Sequence, residues 1–245
     1  MKKLTTLLIT IIISIHGVNL SAASAYTVEF QDIQFDVFTL NANEQHSIRF
    51  FWKNPAGENY ANFKNIKNYF TDHNQTLVFA TNGGIFARDH SPLGLYIESG
   101  VQRKALIKRK GGGNFFLMPN GVFYVTDNGF GIATTAEYAK TVGNVTYATQ
   151  SGPMLVINGE LNPQFRDGSA SLYVRSGVGI DQSGNAVFAI SDSILNFYTF
   201  ASMFKEKLHC DNALYLDGAI SKMYLPQVGR KQLGGDFAVI IAVAR

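Results

Sequence analysis

Apolar residues along the chain fall into short runs separated by turn residues, and only two stretches carry a helical period. Val28–Phe30, Phe35–Leu40 and Ile48–Trp52 read as early strands. Tyr60, Phe63, Ile66, Tyr69 and Phe70 recur at helical spacing and predict one helix. Leu77–Ala80 reads as a buried strand that ends at Asn82-Gly83-Gly84. Phe115–Met118 and Val122–Val125 flank Pro119-Asn120-Gly121 and predict a hairpin, while Thr134 and Glu137 stand at capping-box spacing for a short helix. Met154–Ile157 runs into an Asn158-Gly159 turn, and Val174–Ile180 with Ala186–Ser191 flank Asp181–Asn185 as a further hairpin. Phe197, Phe200, Ala201, Phe204 and Leu208 then share one face of a second helix, with Ser193 or Asn196 as its N-cap. Ala213–Leu216 and Phe237–Val243 read as closing strands. No repeat or linker interrupts the pattern, so it predicts a single α+β domain: a large, mostly antiparallel sheet with two main helices.

The first residues change the picture of where the domain starts. Lys2 and Lys3, the apolar stretch Leu7–Ile15 and the small residues Ala23-Ser24-Ala25 have the three parts of an export signal. The expectation is a cut after Ala25, a domain over residues 26–245, and a periplasmic or secreted location. The apolar stretch is shorter than the roughly 20 residues a membrane span needs, so no stable membrane insertion is expected after cleavage. Loss of Lys2 and Lys3 lowers the formal charge from +3 to +1, which gives no support for a nucleic-acid partner. With 13% aromatic and 16% charged residues the chain is composed to fold. Cys210 is the single cysteine, so no internal disulfide is available, and its place after Leu208 suits a buried structural thiol.

Several familiar chemistries are missing. The sequence has no phosphate loop, no dinucleotide glycine fingerprint and no Gly-x-Ser-x-Gly elbow. His46, His73, His90 and His209 show no metal-ligand spacing, so neither a metal nor another cofactor is expected.

Four segments remain as candidates. Asn82-Gly83-Gly84 is either a plain turn or a place where an amide and a close-approaching backbone meet a sugar hydroxyl or phosphate oxygen. Gln150-Ser151-Gly152-Pro153 is either a strand-entry turn or a set of backbone donors for an anion. Arg175, inside an apolar run, needs a partner, and a phosphate or a structural carboxylate would each serve. Leu216-Asp217-Gly218, with Ser221 after it, places a carboxylate at the end of a buried strand, where its pKa is open to tuning; an Asp-Gly turn is the plain alternative. The basic run Lys108-Arg109-Lys110 before Gly111-Gly112-Gly113 reads as a solvated loop ahead of a strand.

Taken in order, Asn82-Gly83-Gly84-Ile85-Phe86, Pro92 with Gly94, Gln150-Ser151-Gly152-Pro153, Arg175-Ser176-Gly177-Val178-Gly179-Ile180, the aromatic helix around Phe197–Phe204 and Leu216-Asp217-Gly218 with Ser221 resemble the phosphodiester glycosidase family, in particular its small bacterial exported members. The resemblance implies a hydrolase that cleaves between a sugar's anomeric carbon and a phosphate. It marks Asp217 and Arg175 as catalytic, and Asn82, Gly83, Ser151, Gly152, Gly218 and Ser221 as substrate-binding. Many members continue with glycines after the aspartate, whereas Ala219-Ile220 stands here and makes a bulkier loop. Glycosidases commonly use two carboxylates, and Glu98, Asp181 and Asp192 are the candidates for the second. A sugar-phosphate or glycan substrate is the expected partner, and a non-catalytic glycan-binding envelope protein on the same scaffold is the alternative.

Overall fold

The computed structural model describes residues 23–140 and 143–245. Most of the expected export signal, residues 1–22, lies outside the described residues. The strands are β1 (Ser24–Phe30), β2 (Ile33–Leu40), β3 (Ile48–Phe51), β4 (Leu77–Asn82), β5 (Tyr96–Glu98), β6 (Val101–Lys104), β7 (Gly121–Thr126), β8 (Gly129–Thr134), β9 (Val145–Ser151), β10 (Met154–Ile157), β11 (Glu160–Leu161), β12 (Ser176–Asp181), β13 (Ala186–Ser191), β14 (Cys210–Asp217), β15 (Met223–Leu225), β16 (Arg230–Lys231) and β17 (Ile240–Ala244). The helices are α1 (Phe63–Asp72), the single turn α2 (Thr135–Tyr138), and α3 (Phe197–Ser202), which runs on as a π-helical turn over Met203–Lys207.

The strands form three sheets, ordered β1-β2-β13-β12-β14-β10-β11, β16-β15-β4-β17-β3 and β6-β5-β9-β7-β8. Every strand pairing is antiparallel. The α+β class with two main helices is therefore the architecture of the chain. A cut after Ala25 would take two residues from β1 and leave Tyr26–Phe30 paired with Val37–Ile33.

Successive side chains of a strand point to opposite faces, and here both faces are buried. In β2, Phe38 and Leu40 enter a central core while Phe35 and Val37 pack under α3. In β17, Ile241 and Val243 enter the same central core while Ile240 and Ala242 pack under α1. All three sheets send side chains to that centre, where Phe79 stacks on Phe38 at 4.3 Å and meets Phe188 at 4.9 Å.

Local signals act as the residue types require. Asn62 Oδ1 accepts from Asn65 N at 3.0 Å and caps α1, whose Phe63, Ile66 and Phe70 are buried. Asn196, and not Ser193, caps α3 through Thr199 N at 2.9 Å. The Thr134–Glu137 capping box is complete.

Two expectations need correction. Phe115–Met118 does not form a strand: Asn114–Phe116 is a short 3-10 turn, and β7 pairs instead with β8 and β9. The buried Asn120 donates back to Phe115 O at 3.1 Å and accepts from Thr135 Oγ1 at 2.8 Å, which fixes a loop where Pro119 has no N–H for a ladder. The basic run Lys108–Lys110 is exposed as expected, but it leads into that 3-10 turn and not into a strand.

Because Phe79 is fully buried, stacked on Phe38 and in contact with the tilted Phe188 ring, Phe79→Ala should cost about 3–5 kcal/mol through lost transfer energy and an unfilled cavity. Phe79→Leu should cost markedly less. Urea unfolding of both variants checks this, and equal losses would show that the centre is not tightly packed.

Candidate active site

The carboxylate at the end of β14 is set by strand pairing. Gly177 of β12 pairs with Tyr215, but Ser176 pairs with Asp217, so the register slips by one residue around Leu216. Such a bulge re-aims the side chain that follows it. Asp217 Oδ1 accepts from Gly218 N at 2.6 Å, and Ile220 N also donates to the carboxylate. Among the described residues no cation forms an ion pair with it. Burial therefore dominates and pushes its carboxyl up from 3.8 to about 6, with the two backbone donors pulling the other way.

Asp217 borders a cleft of about 390 Å³ with Tyr215, Tyr173, Ser171, Ile85, Ala219 and the run Gly112-Gly113-Asn114. Gly112 and Gly113, which follow the basic run, are thus part of the cleft wall. Ala219 faces the cleft, whereas Ile220 is 37% exposed, so most of the bulk expected to narrow the space beside Asp217 lies outward. A Cβ at Gly218 would run into the Tyr215 hydroxyl, so that position holds only glycine in this arrangement.

Beside Asp217 is a closed polar network. Asn82 Oδ1, at the end of β4, accepts from Ser176 Oγ at 3.2 Å and from Lys222 N at 3.3 Å, and Ser176 Oγ lies 3.0 Å from Ser221 Oγ. Asn82 Nδ2 is buried without a partner among the described residues. A Cβ on Gly83 would collide with the Val239 side chain; Gly83 N donates to Val239 O at 2.7 Å, and Gly83 O accepts from Thr149 Oγ1 at 2.7 Å. Ser151 is fully buried; its Oγ donates to Leu216 O at 3.3 Å and accepts from Ile85 N at 3.4 Å. It ties the ends of β4, β9 and β14 together. Gly152 packs against Asn120 and Phe115.

Arg175 lies just before β12 and is fully buried. Among the described residues no carboxylate forms an ion pair with it. Nε donates to Leu195 O at 2.9 Å, Nη2 donates to Ser171 O at 2.7 Å, and the guanidinium sits 3.7 Å from the Phe197 ring centroid, with the Tyr173 and Tyr215 rings at 5.6 and 5.4 Å. Nη1 has no hydrogen-bond partner among the described residues. Burial lowers the pKa of Arg175, and burial raises that of Tyr215, which also interacts with Asn114. Arg175 thus stands behind Tyr215, one layer below the cleft surface.

The structure brings Asn82, Ser176 and Ser221 into one network opposite Asp217, but closes Asn82, Ser151 and Arg175 off from solvent. Sequence reasoning missed Tyr215, Tyr173, Ser171 and Asn114. Tyr215 had a signal: a polar-tipped aromatic two residues before the carboxylate, within the apolar run Ala213–Leu216. The second carboxylate is not supplied by the candidates named for it. Asp181 caps its own turn, accepting from Ser183 N, Asn185 N and Asn185 Nδ2 at 2.9 Å each. Asp192 pairs with Arg230 at 2.6 Å. Glu98 lines a separate aromatic groove with Trp52, Tyr60 and Arg103. Among the described residues no group of three or more His, Cys, Asp or Glu is placed to hold a metal ion.

The sequence and the fold have counterparts among known proteins. The chain is 39% identical over 208 residues to the Escherichia coli (strain K12) protein YigE, a match covering 85% of this chain and 81% of that one. Its fold is similar to the catalytic domain of zebrafish N-acetylglucosamine-1-phosphodiester alpha-N-acetylglucosaminidase, solved in a form auto-inhibited by its pro-peptide: TM-score 0.63, 14% identity, 90% of this chain and 81% of that one. A hypothetical protein from Synechocystis superposes with a TM-score of 0.59 at 17% identity over 91% of this chain and 61% of that one. The model of the phosphodiester glycosidase family matches residues 75–239, which hold the Asn82 network, Arg175 and Asp217 alike, and the chain belongs to that family.

Proposed function

We propose that the protein is an exported hydrolase that cleaves the bond between a sugar's anomeric carbon and a phosphodiester. Lys2-Lys3, the apolar stretch Leu7–Ile15 and Ala23-Ser24-Ala25 support export to the periplasm or beyond. The observation that carries the chemistry is Asp217: a carboxylate at the cleft wall, free of any cation partner among the described residues and poised near pH 6. Ionised, it serves as base toward the attacking water, and its charge favours the oxocarbenium-like transition state. Water adds at the anomeric carbon, the carbon–oxygen bond to phosphate breaks, and the phosphate departs as an anion. That leaving group is a weak base and needs no proton, which suits a cleft whose lining has one carboxylate.

The backbone of Gly112-Gly113 and the adjacent Lys108–Lys110 supply the positive surface for the phosphate. Arg175 acts from behind, holding Tyr215 in place and adding positive potential. Asn82, through Ser176 and Ser221, orients the loop after Asp217. The single carboxylate also favours a second reading, a sugar-phosphate binding protein without turnover, and the first variant below separates the two.

Asp217→Asn should fold and lose about 10²–10⁴ in turnover on a sugar-1-phosphodiester. The wild-type rate should rise as pH passes about 6, and the variant's residual rate should lack that step. The same residue makes a stability test. Its folded pKa is raised, so the fold favours the protonated form, and wild-type stability falls as pH rises from the unfolded value toward about 6. Asp217→Asn should therefore be more stable than wild type near neutral pH, by on the order of 2 kcal/mol, with the gain absent near pH 4. Urea titrations of both proteins at both pH values measure it; an advantage over wild type that is the same at both would mean Asp217 is not held in a desolvated site.

Arg175→Lys should cost about 2–4 kcal/mol, because an ammonium cannot keep both carbonyl bonds and the ring stack while its charge stays buried. Arg175→Met should cost less than Arg175→Lys, since it removes the buried charge with the fork. The reverse order in urea melts would refute the caged-cation account.

A further inference from the structure

Large apolar side chains left in solvent are ordinary when scattered and informative when gathered. Among the described residues Tyr26, Val101, Leu172, Tyr173, Ile194 and Ile220 are the large hydrophobics more than a third exposed. Of the last four, Tyr173 lines the Asp217 cleft, and Leu172, Ile194 and Ile220 belong to the segments beside it. Ser171 and Tyr173 line it, with Leu172 between them. Tyr173 and Leu195 exchange backbone hydrogen bonds of 3.2 and 2.9 Å, which brings Ile194, 60% exposed, alongside. Tyr173 Cβ lies 3.4 Å from where a Cβ on Gly218 would sit, and Ile220 follows in the turn closed by Ser221 N to Gly218 O at 2.8 Å.

The segments that carry this rim, residues 168–174, 193–204 and 218–221, contain no Lys, Arg, Asp or Glu. The exposed basic run Lys108–Lys110 leads instead into Gly112-Gly113 of the cleft wall. A phosphodiester has two arms. With the sugar at Asp217 and the phosphate on the glycine wall, the second arm leaves past residues 171–173. A polar second arm, such as another sugar, would find few fixed hydrogen-bond partners on Leu172, Ile194 and Ile220. An anionic bilayer would be drawn to Lys and Arg, which the rim lacks.

We propose that the group esterified to the other side of the phosphate is a long apolar chain, so that the substrate class is a lipid-linked sugar-1-phosphodiester whose chain lies on the Leu172–Tyr173–Ile194–Ile220 rim. This rests on the sugar-1-phosphodiester reading above. Each methylene withdrawn from water contributes about 0.8 kcal/mol, or about fourfold in kcat/KM.

The test is a series of one sugar-1-phosphate esterified with alkyl chains from methyl to decyl, each kept below its micelle concentration. With the wild-type full chain, kcat/KM should climb steeply over the first methylenes, mainly through KM, and then level off. Leu172→Ser/Ile194→Ser, at exposed positions where substitution should spare the fold, should flatten the climb and leave the methyl diester rate unchanged. A methyl diester cleaved as well as the decyl diester overturns the lipid-chain inference and leaves the hydrolase reading standing. No cleavage of any diester, methyl included, overturns the hydrolase reading. The rim is then decided by binding alone, with calorimetry of decyl phosphate against methyl phosphate: equal affinities, or no loss in the double variant, overturn it. Sedimentation with substrate-free phosphatidylcholine vesicles combined with a flat chain-length series would assign the rim to a membrane surface and likewise overturn the proposal.

Discussion

The pairing of β12 with β14 is the contact from which the other features follow. Both strands lie in the middle of the seven-stranded sheet with both faces buried, so their register is fixed by packing on two sides. Leu214 and Leu216 anchor β14 in the central core, while Ala213 and Tyr215 anchor it under α3. With the strand held that firmly, the slip at Leu216 is not free to relax, and it delivers Asp217 opposite Ser176. The same pairing sets Arg175, one residue before Ser176, behind Tyr215. The carboxylate, the hydroxyl network and the buried cation are thus three results of one alignment.

The two ionisable groups in this region are treated in opposite ways. Arg175 is removed from water completely, yet its charge is accommodated by two backbone carbonyls and the faces of aromatic rings. Asp217 keeps a path to the cleft but is given only two N–H donors and no cation. Burying both as a salt bridge would have lowered the carboxyl's pKa and removed it from the range in which it titrates near neutrality. Tyr215 is the spacer that keeps them apart while its ring faces the guanidinium at 5.4 Å.

Much of this was legible in the sequence because the chain signals strands by short apolar runs and punctuates them with Asn-Gly, Asp-Gly and Gly-rich turns. The β12–β13 hairpin, β10 with its Asn158-Gly159 turn, α1, α3 and the strand leading into Asp217 follow from those signals. Phe115–Met118 misled because an apolar run beside a turn dipeptide looks the same whether it forms a ladder or is pinned as a loop by one buried side chain, here Asn120. At Arg175 the local apolar run announced burial, but its partners come from positions 171, 195, 197 and 215, which no local pattern connects. Tyr173 was invisible for the same reason: its place on the cleft depends on a single antiparallel bridge to Leu195. The distribution of strands over three sheets is likewise a matter of long-range pairing.

The lone thiol has a consequence of its own. Cys210 is 2% exposed, its Sγ lies against Leu208 O at 3.6 Å, and burial raises its pKa, so the reactive thiolate is scarcely present. The chain has no internal disulfide to make or break, and its one thiol is not accessible to capture a partner. Thiol exchange has no foothold on the folded chain, and its persistence depends on the packing of three sheets around one aromatic centre.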